Sequence, residues 1–264
     1  MTLIRAMLRL GRDERWWSAL VIVTALLLWE LAARAGWISR LFFPPPSLTL
    51  LTLARLVRTG ALWPALGSTL TRLAAGMVIG GGAGLLLGWL MGASRPLRAA
   101  LDPIVAALHP LPKLAIFPIF LILLGIGEAS KVALLATVAF FPLLINTLAG
   151  VQQIDRTYWE AATNYGARGW ALVRRVILPG SLPMVLVGLR LAVNSGLVVA
   201  IAVEMLSAQQ GLGAQVWLAW QTLRLQELYA ILVVIALLGL GFNAWLTAIT
   251  ARLAPWRNES MSGS

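Results

Sequence analysis

The chain has 264 residues, 59% of them hydrophobic and only 12% charged, with a mean hydropathy of +0.84 and a formal net charge of +11. A soluble domain carries about 25% charged residues, so an ordinary water-soluble fold is excluded. The absence of cysteine and the single histidine, His109, exclude disulfides, thiolate metal centres and multi-histidine metal sites.

The charges are clustered. Leu73 to Ser94, Val132 to Ile154 and Leu228 to Ala251 contain none. Each run can cross a hydrocarbon core of about 30 Å, which takes roughly 20 helical residues. The fold class is therefore all-α, a polytopic helical membrane protein. Six spans are expected at 16–35, 67–93, 101–124, 130–150, 182–206 and 228–250. Arg5, Arg9, Arg12 and Arg15 precede the first, and Arg95 and Arg98 follow the second. Arg156, Arg168, Arg174 and Arg175 follow the fourth, and Arg252 and Arg257 follow the sixth. Basic residues gather on the cytoplasmic side of membrane proteins. That rule puts both termini inside and leaves Arg34, Arg40, Arg55, Arg58, Lys131 and Arg224 outside. It also accounts for the positive charge without nucleic acid as a partner; the partner implied is membrane lipid.

In chain order, the basic start and apolar stretch of the first span also fit a cleaved signal peptide. Glu30 and Arg34, one turn apart, favour a retained helix that continues outward. Pro44 to Pro46 are extended, and Ser47 is expected to cap a short amphipathic helix reaching about Arg58 on the outer surface. The second span carries Gly76, Gly80, Gly84, Gly88 and Gly92 at strict four-residue spacing. Such a stripe lets another helix approach closely.

The third span is interrupted by Pro110, Pro112 and Pro118, with Lys113 among them. A structural kink and a solute-contacting lysine both fit, since intramembrane charge is costly and often functional. The fifth span holds Arg190, Asn194 and Glu204. Arg190 and Asn194 share a face. Arg190 and Glu204 are about 21 Å apart along a straight helix and cannot pair with each other. Each belongs either to a translocation pathway or to an interhelical bond.

No Gly-Lys-Ser/Thr loop, G-x-S-x-G elbow, H-E-x-x-H motif or intramembrane carboxylate pair is present. Nothing marks an enzyme, and no cofactor or metal site is implied. Between spans four and five lies "EAATNYGARGWALVRRVILP", 160–179, with one acid and three arginines in an apolar context. "TYWEAATNY" reads as a short helix, with Gly166 as its left-handed terminator. "RGWALVRRVIL" reads as a second helix with Trp170, Leu172, Val173 and Val176 as its apolar face, and Pro179 as the start of span five. A helix–glycine–helix hairpin follows, which either docks on a partner or rests on lipid headgroups.

This segment resembles the EAA loop of binding-protein-dependent ABC transporter permeases. Glu160, Ala161, Ala162, Gly166, Leu178 and Pro179 fit its pattern, and Val176 replaces the usual isoleucine. "FPPPSLTL" at 43–50, "LHPLPKLAIFPIFLILLGIGEASK" at 108–131 and "GLRLAVNSGLVVAIAVEMLSAQQGLG" at 188–213 are similar to the nitrate, sulfonate and taurine branch, where a proline often stands at the position of Lys113. The resemblance implies a type I ABC importer permease in the bacterial inner membrane, acting as a homodimer with two ATPase subunits and an external solute-binding protein. It makes the hairpin the coupling helix and the solute a small anion such as a sulfonate, taurine or nitrate. The alternative is an ATP-independent channel or secondary carrier. The domain organisation expected is 1–66 for the first helix and external segment, 67–250 for the core with the hairpin at 151–180, and 251–264 for a cytoplasmic tail.

Overall fold

The computed structural model describes residues 14–253. Arg5, Arg9, Arg12, Arg257 and most of the tail at 251–264 lie outside that range. The chain forms two compact units, one running to Leu62 and including Val216–Val233, the other comprising Trp63–Gln215 and the chain from Val234.

In the first unit, α1 (Glu14–Arg34) is apolar around its circumference. Leu20, Val21, Leu27 and Leu28 are each more than half exposed, as suits a helix whose solvent is lipid. The chain then turns at an extended Pro45 into α2 (Pro46–Arg58), with Pro46 in the first turn, where its missing N–H costs nothing. Ser47 does not cap α2 as the sequence suggested. Its backbone N–H and hydroxyl both donate to the Glu30 carboxylate, at 3.0 and 2.8 Å, while Arg34 pairs with the same carboxylate. Ser47 stands inside the first turn, so its N–H is one of the free donors of the helix start, and the Glu30 carboxylate satisfies it with a charge-assisted bond.

The second unit is built on α3 (Leu62–Ala93), α6 (Glu128–Gln152) and α8 (Trp170–Ser207). The five-glycine stripe of α3 faces α6 throughout. A Cβ on Gly76 would lie 2.6 Å from Leu135 Cβ, on Gly84 2.3 Å from the Phe140 carbonyl oxygen, and on Gly92 2.6 Å from Val151 Cβ. At Gly80 it would fall inside the Ala136 carbonyl. Here α3 widens into a π turn, Met77–Gly81. The stripe is thus a helix–helix seam. Helix α8 packs on α6 through Ala139, Leu143 and Ala192, where Met77 and Leu85 of α3 also reach, and through Leu134 and Val203 with Phe117.

The third span is broken. Helices α4 (Arg95–Leu108) and α5 (Phe117–Leu124), the latter preceded by the 3-10 turn Lys113–Ile116, meet at 91°. Pro110 and Pro112 lack the N–H groups that would continue α4, so the break falls there. A helix that the sequence had not marked, α9 (Leu212–Gln221), follows α8, and α10 (Leu225–Leu253) ends the described chain. Among the described residues five helices are long and apolar enough to cross a membrane, or six spans if α4 and α5 count as one. Among the described residues there are no strands.

The seam gives a direct test. Gly80→Leu places a side chain where the α6 backbone already is and is expected to cost about 3 kcal/mol or more. Gly82, two residues away, has open space around its Cβ position. Gly82→Ala is expected to be neutral or to stabilise by up to about 1 kcal/mol. Thermal unfolding of the two purified variants in detergent checks both.

Candidate functional site: the hairpin and the buried charge cluster

At the C-terminal end of α6 the chain forms a hairpin. Asp155 caps α7 (Arg156–Asn164) by accepting from the Thr157 N–H at 2.8 Å. That backbone hydrogen bond is the main reason its carboxyl sits below the usual aspartate range. The cap therefore stays ionised to lower pH than a free aspartate and weakens only as pH falls through that depressed value.

Helix α7 stops at a Schellman closure. Ala167 N–H donates to the Ala162 carbonyl and Gly166 N–H to Thr163, both at 2.9 Å, with Gly166 at φ +80°. Glycine is favoured there because a Cβ makes this backbone conformation costly. Gly169, at φ +53°, makes a second left-handed bend before the next helix.

The returning arm is not a separate helix ended by Pro179. It is the first part of α8, which runs unbroken from Trp170 to Ser207. The π turn Val173–Ile177 makes this possible. Leu178 N–H bonds Val173, five residues back, so the wider turn takes up the register that Pro179 would otherwise break. The arm is anchored where it leaves the hairpin: Trp89 Nε1 donates to Ser181 Oγ at 3.0 Å, and a Cβ on Gly180 would meet Ile154 at 2.8 Å.

Leu178 is half-buried and Pro179 exposed at this base. Of the apolar face expected on the returning arm, Val176 is buried, Leu172 and Val173 are half-buried, and Trp170 faces outward. Beyond the base the hairpin is open: Tyr158, Tyr165 and Trp170 are 68%, 91% and 71% exposed. Ala161 is exposed and Ala162 half-buried. Glu160 pairs with Arg156 at 2.7 Å, one turn earlier. Both side chains are largely exposed, and such pairs contribute little and exchange readily. Beside the hairpin a groove of about 600 Å³ is lined by Arg95, Arg98, Ile154 and Trp159.

At the opposite end of α6, about 37 Å away for its 25 residues, lies a buried cluster of charges. Arg72 of α3 is 6% exposed and Glu204 of α8 is fully buried. Arg72 Nη1 donates to Glu204 Oε1 and to the Gln210 carbonyl, both at 2.7 Å. Its Nε and Nη2 form a fork on Glu128, at 2.5 and 2.9 Å, and Lys131 reaches the same carboxylate at 3.2 Å. The second oxygen of Glu204 accepts from Thr69 Oγ1 at 2.9 Å and from Gly213 N–H at 3.0 Å. Two cations and two anions balance, and every oxygen of Glu204 is occupied.

Glu204 is thus in an interhelical network. Arg190 donates to Thr247 Oγ1 of α10 at 3.0 Å, while Asn194, one turn on, is exposed. Lys113 donates to the carbonyls of Leu108 and His109, at 2.9 and 2.8 Å, and sits 4.1 Å over the Phe141 ring. Leu108 is the residue whose helical donor would have been Pro112, so the lysine covers a carbonyl freed by the break. Within the chain, Lys113, Arg190 and Glu204 occupy three separate places. Sequence reading passed over Arg72, which partners Glu204, and Glu128, which holds the other side of the same guanidinium. The signal lay in their positions: Arg72 is the one charge between Arg58 and Arg95, and Glu128 ends the uncharged run 114–127.

The matching family is "Binding-protein-dependent transport system inner membrane component", whose profile covers residues 80–259, from the glycine seam through the hairpin and beyond α10. The chain belongs to this family. It is 34% identical over 243 residues to the taurine transport system permease protein TauC of Escherichia coli (strain K12), covering 90% of this chain and 88% of that one. It is 30% identical over 251 residues to SsuC of Bacillus subtilis (strain 168), designated an aliphatic sulfonates transport permease protein, covering 94% and 91%. The nitrate import permease protein NrtB of Leptolyngbya laminosa is 31% identical over 196 residues, covering 74% and 70%.

The cluster's burial fixes its cost of disruption. Glu204→Ala strands the Thr69 and Gly213 donors and one bond of Arg72, and is expected to destabilise by about 3–5 kcal/mol. Glu204→Gln, which keeps the shape and one acceptor, is expected to cost less. Denaturation of both variants in detergent, compared with Asn194→Ala as an exposed control on the same helix, measures the difference.

Proposed function

We propose that the chain is the pathway-forming permease of an ATP-driven importer, coupled through its hairpin to a separate ATPase subunit. Family membership supports this reading over an ATP-independent channel or carrier. The observation that carries it is the hairpin itself: a capped, glycine-closed helix that exposes Tyr158, Tyr165 and Trp170. Aromatic residues of this kind are the favoured anchors of protein interfaces.

In the full assembly two copies of the chain form the pathway. Two ATPase subunits dock at the hairpins, and an external binding protein delivers the solute. The termini and hairpin lie in the cytoplasm, with the buried charge cluster toward the outer face. The coupling residues are Glu160, Ala161, Ala162, Gly166, Leu178 and Pro179. Ala161 and Ala162 allow close approach of the ATPase, and Glu160 exchanges Arg156 for a cation on it. Leu178 and Pro179 lie where the returning arm meets α8. The relatives named for taurine, sulfonates and nitrate support a small anion as solute, with Lys113, Arg190, Asn194 and Glu204 as candidate pathway residues.

Glu160→Ala and Gly166→Leu are expected to leave the spans folded while strongly reducing ATP-dependent uptake, and Gly166→Leu also to weaken ATPase retention. No atom lies near the Gly166 Cβ position, so the cost there is conformational, about 1–2 kcal/mol. Gly166→Asn, which tolerates positive φ, is expected to retain most function. Uptake, ATPase activity and subunit retention in reconstituted vesicles test the reading. Near-normal values for Glu160→Ala and Gly166→Leu would defeat the coupling role.

A further inference from the structure

The charge cluster opens on a cavity. A pocket of about 310 Å³ is lined by Arg72, Glu128, Lys131, Ser207, Gln209 and Gln210. Its two cations are built in: the side chains of Arg72 and Lys131 are only 7% and 5% exposed. The carboxylate between them is different, for the Glu128 side chain is 61% exposed.

Lys131 has three donors, and its one protein acceptor among the described residues is Glu128 at 3.2 Å. Arg72 turns two donors to the same carboxylate as a planar fork, the geometry that matches any two-oxygen face of an oxyanion. Its remaining bonds, to Glu204 and Gln210, hold the guanidinium in place whether or not Glu128 is present. Glu204 answers one of the two cations, so without Glu128 the buried group holds one uncompensated positive charge, which burial makes expensive and an anion relieves.

We infer that this pocket is an oxyanion-binding site in which Glu128 is a resident stand-in for the transported anion. The Glu128 carboxylate occupies Arg72 and Lys131 when the solute is absent. It swings toward its exposed side when a small sulfonate- or nitrate-type anion takes the same donors. Removing Glu128 leaves the local charge one unit more positive, which favours the incoming anion. This inference rests on the reading that the solute is a small anion, and it adds the residues that meet it.

The test is equilibrium binding of labelled methanesulfonate to the full chain in lipid nanodiscs, with neutral dimethyl sulfone as competitor. Glu128→Gln, which removes the resident charge and keeps the shape, is expected to tighten binding by about tenfold, equivalent to about 1.4 kcal/mol. Lys131→Gln is expected to weaken it by at least about tenfold, and Lys131→Arg to restore it, since one charge-assisted bond has that order of worth. Dimethyl sulfone should not compete.

Absence of methanesulfonate binding, an unchanged or weaker affinity in Glu128→Gln, or equal competition by dimethyl sulfone overturns the inference. Size-exclusion chromatography confirms folding of each variant. If Lys131→Gln does not fold, the direction of change in Glu128→Gln decides. Failure of ATPase docking would show as lost subunit retention with methanesulfonate binding intact, so the two proposals fail separately.

Discussion

Everything in the larger unit is referred to the distance between α3 and α6. Five glycines at four-residue spacing bring the backbone of one helix onto the side chains and carbonyls of the other, so closely that a single methyl group has no room at Gly80. Inside a bilayer the hydrophobic effect does not press helices together, and dispersion at short range takes its place. The seam also sets where the side chains at its two ends fall. At one end it brings Arg72 to Glu128. At the other, Gly92 rests on Val151, just before the hairpin begins.

The charge cluster is the polar counterpart of that seam. A buried pair of charges is weak as a source of stability, because desolvation offsets most of the attraction. Its value lies in exclusivity. Once Arg72 is placed by the α3–α6 approach, α8 must present Glu204 at one height, and the turn carrying Gly213 must fold back to supply an N–H. Gly211, at φ +135°, lies against that carboxylate, and a Cβ there would sit 2.4 Å from its carbon. An apolar replacement of the cluster would pack, but it would not specify that register.

Much of this was legible in the residues. The uncharged runs marked where spans lie, because hydrocarbon thickness sets a minimum length, but α8 begins at Trp170, twelve residues before the span expected at 182–206. The period-four glycines predicted a seam, and Gly166 predicted a left-handed closure, because each is a local backbone requirement. What was not legible depended on partners distant in sequence. Ser47 resembled a cap until Glu30, seventeen residues earlier, proved the better acceptor. Pro179 resembled a helix start, because the π turn that ends two residues upstream has no signature in a propensity scale. Arg72 and Glu128 drew no notice, because each alone looks like a charge at a membrane edge. Only the fold, which brings them to Glu204, makes them a site.

The unbroken run of α8 has a mechanical consequence. Its 38 residues extend about 57 Å. A tilt of about 5° about one end displaces the other by roughly 5 Å over that length. The two left-handed glycines, Gly166 and Gly169, stand between α7 and this rod. The first arm of the hairpin is therefore joined to this helix only through two backbone positions that favour glycine, whereas Trp170 and Glu204 belong to one helix, so any displacement of the returning arm is a displacement of the element that carries the buried carboxylate.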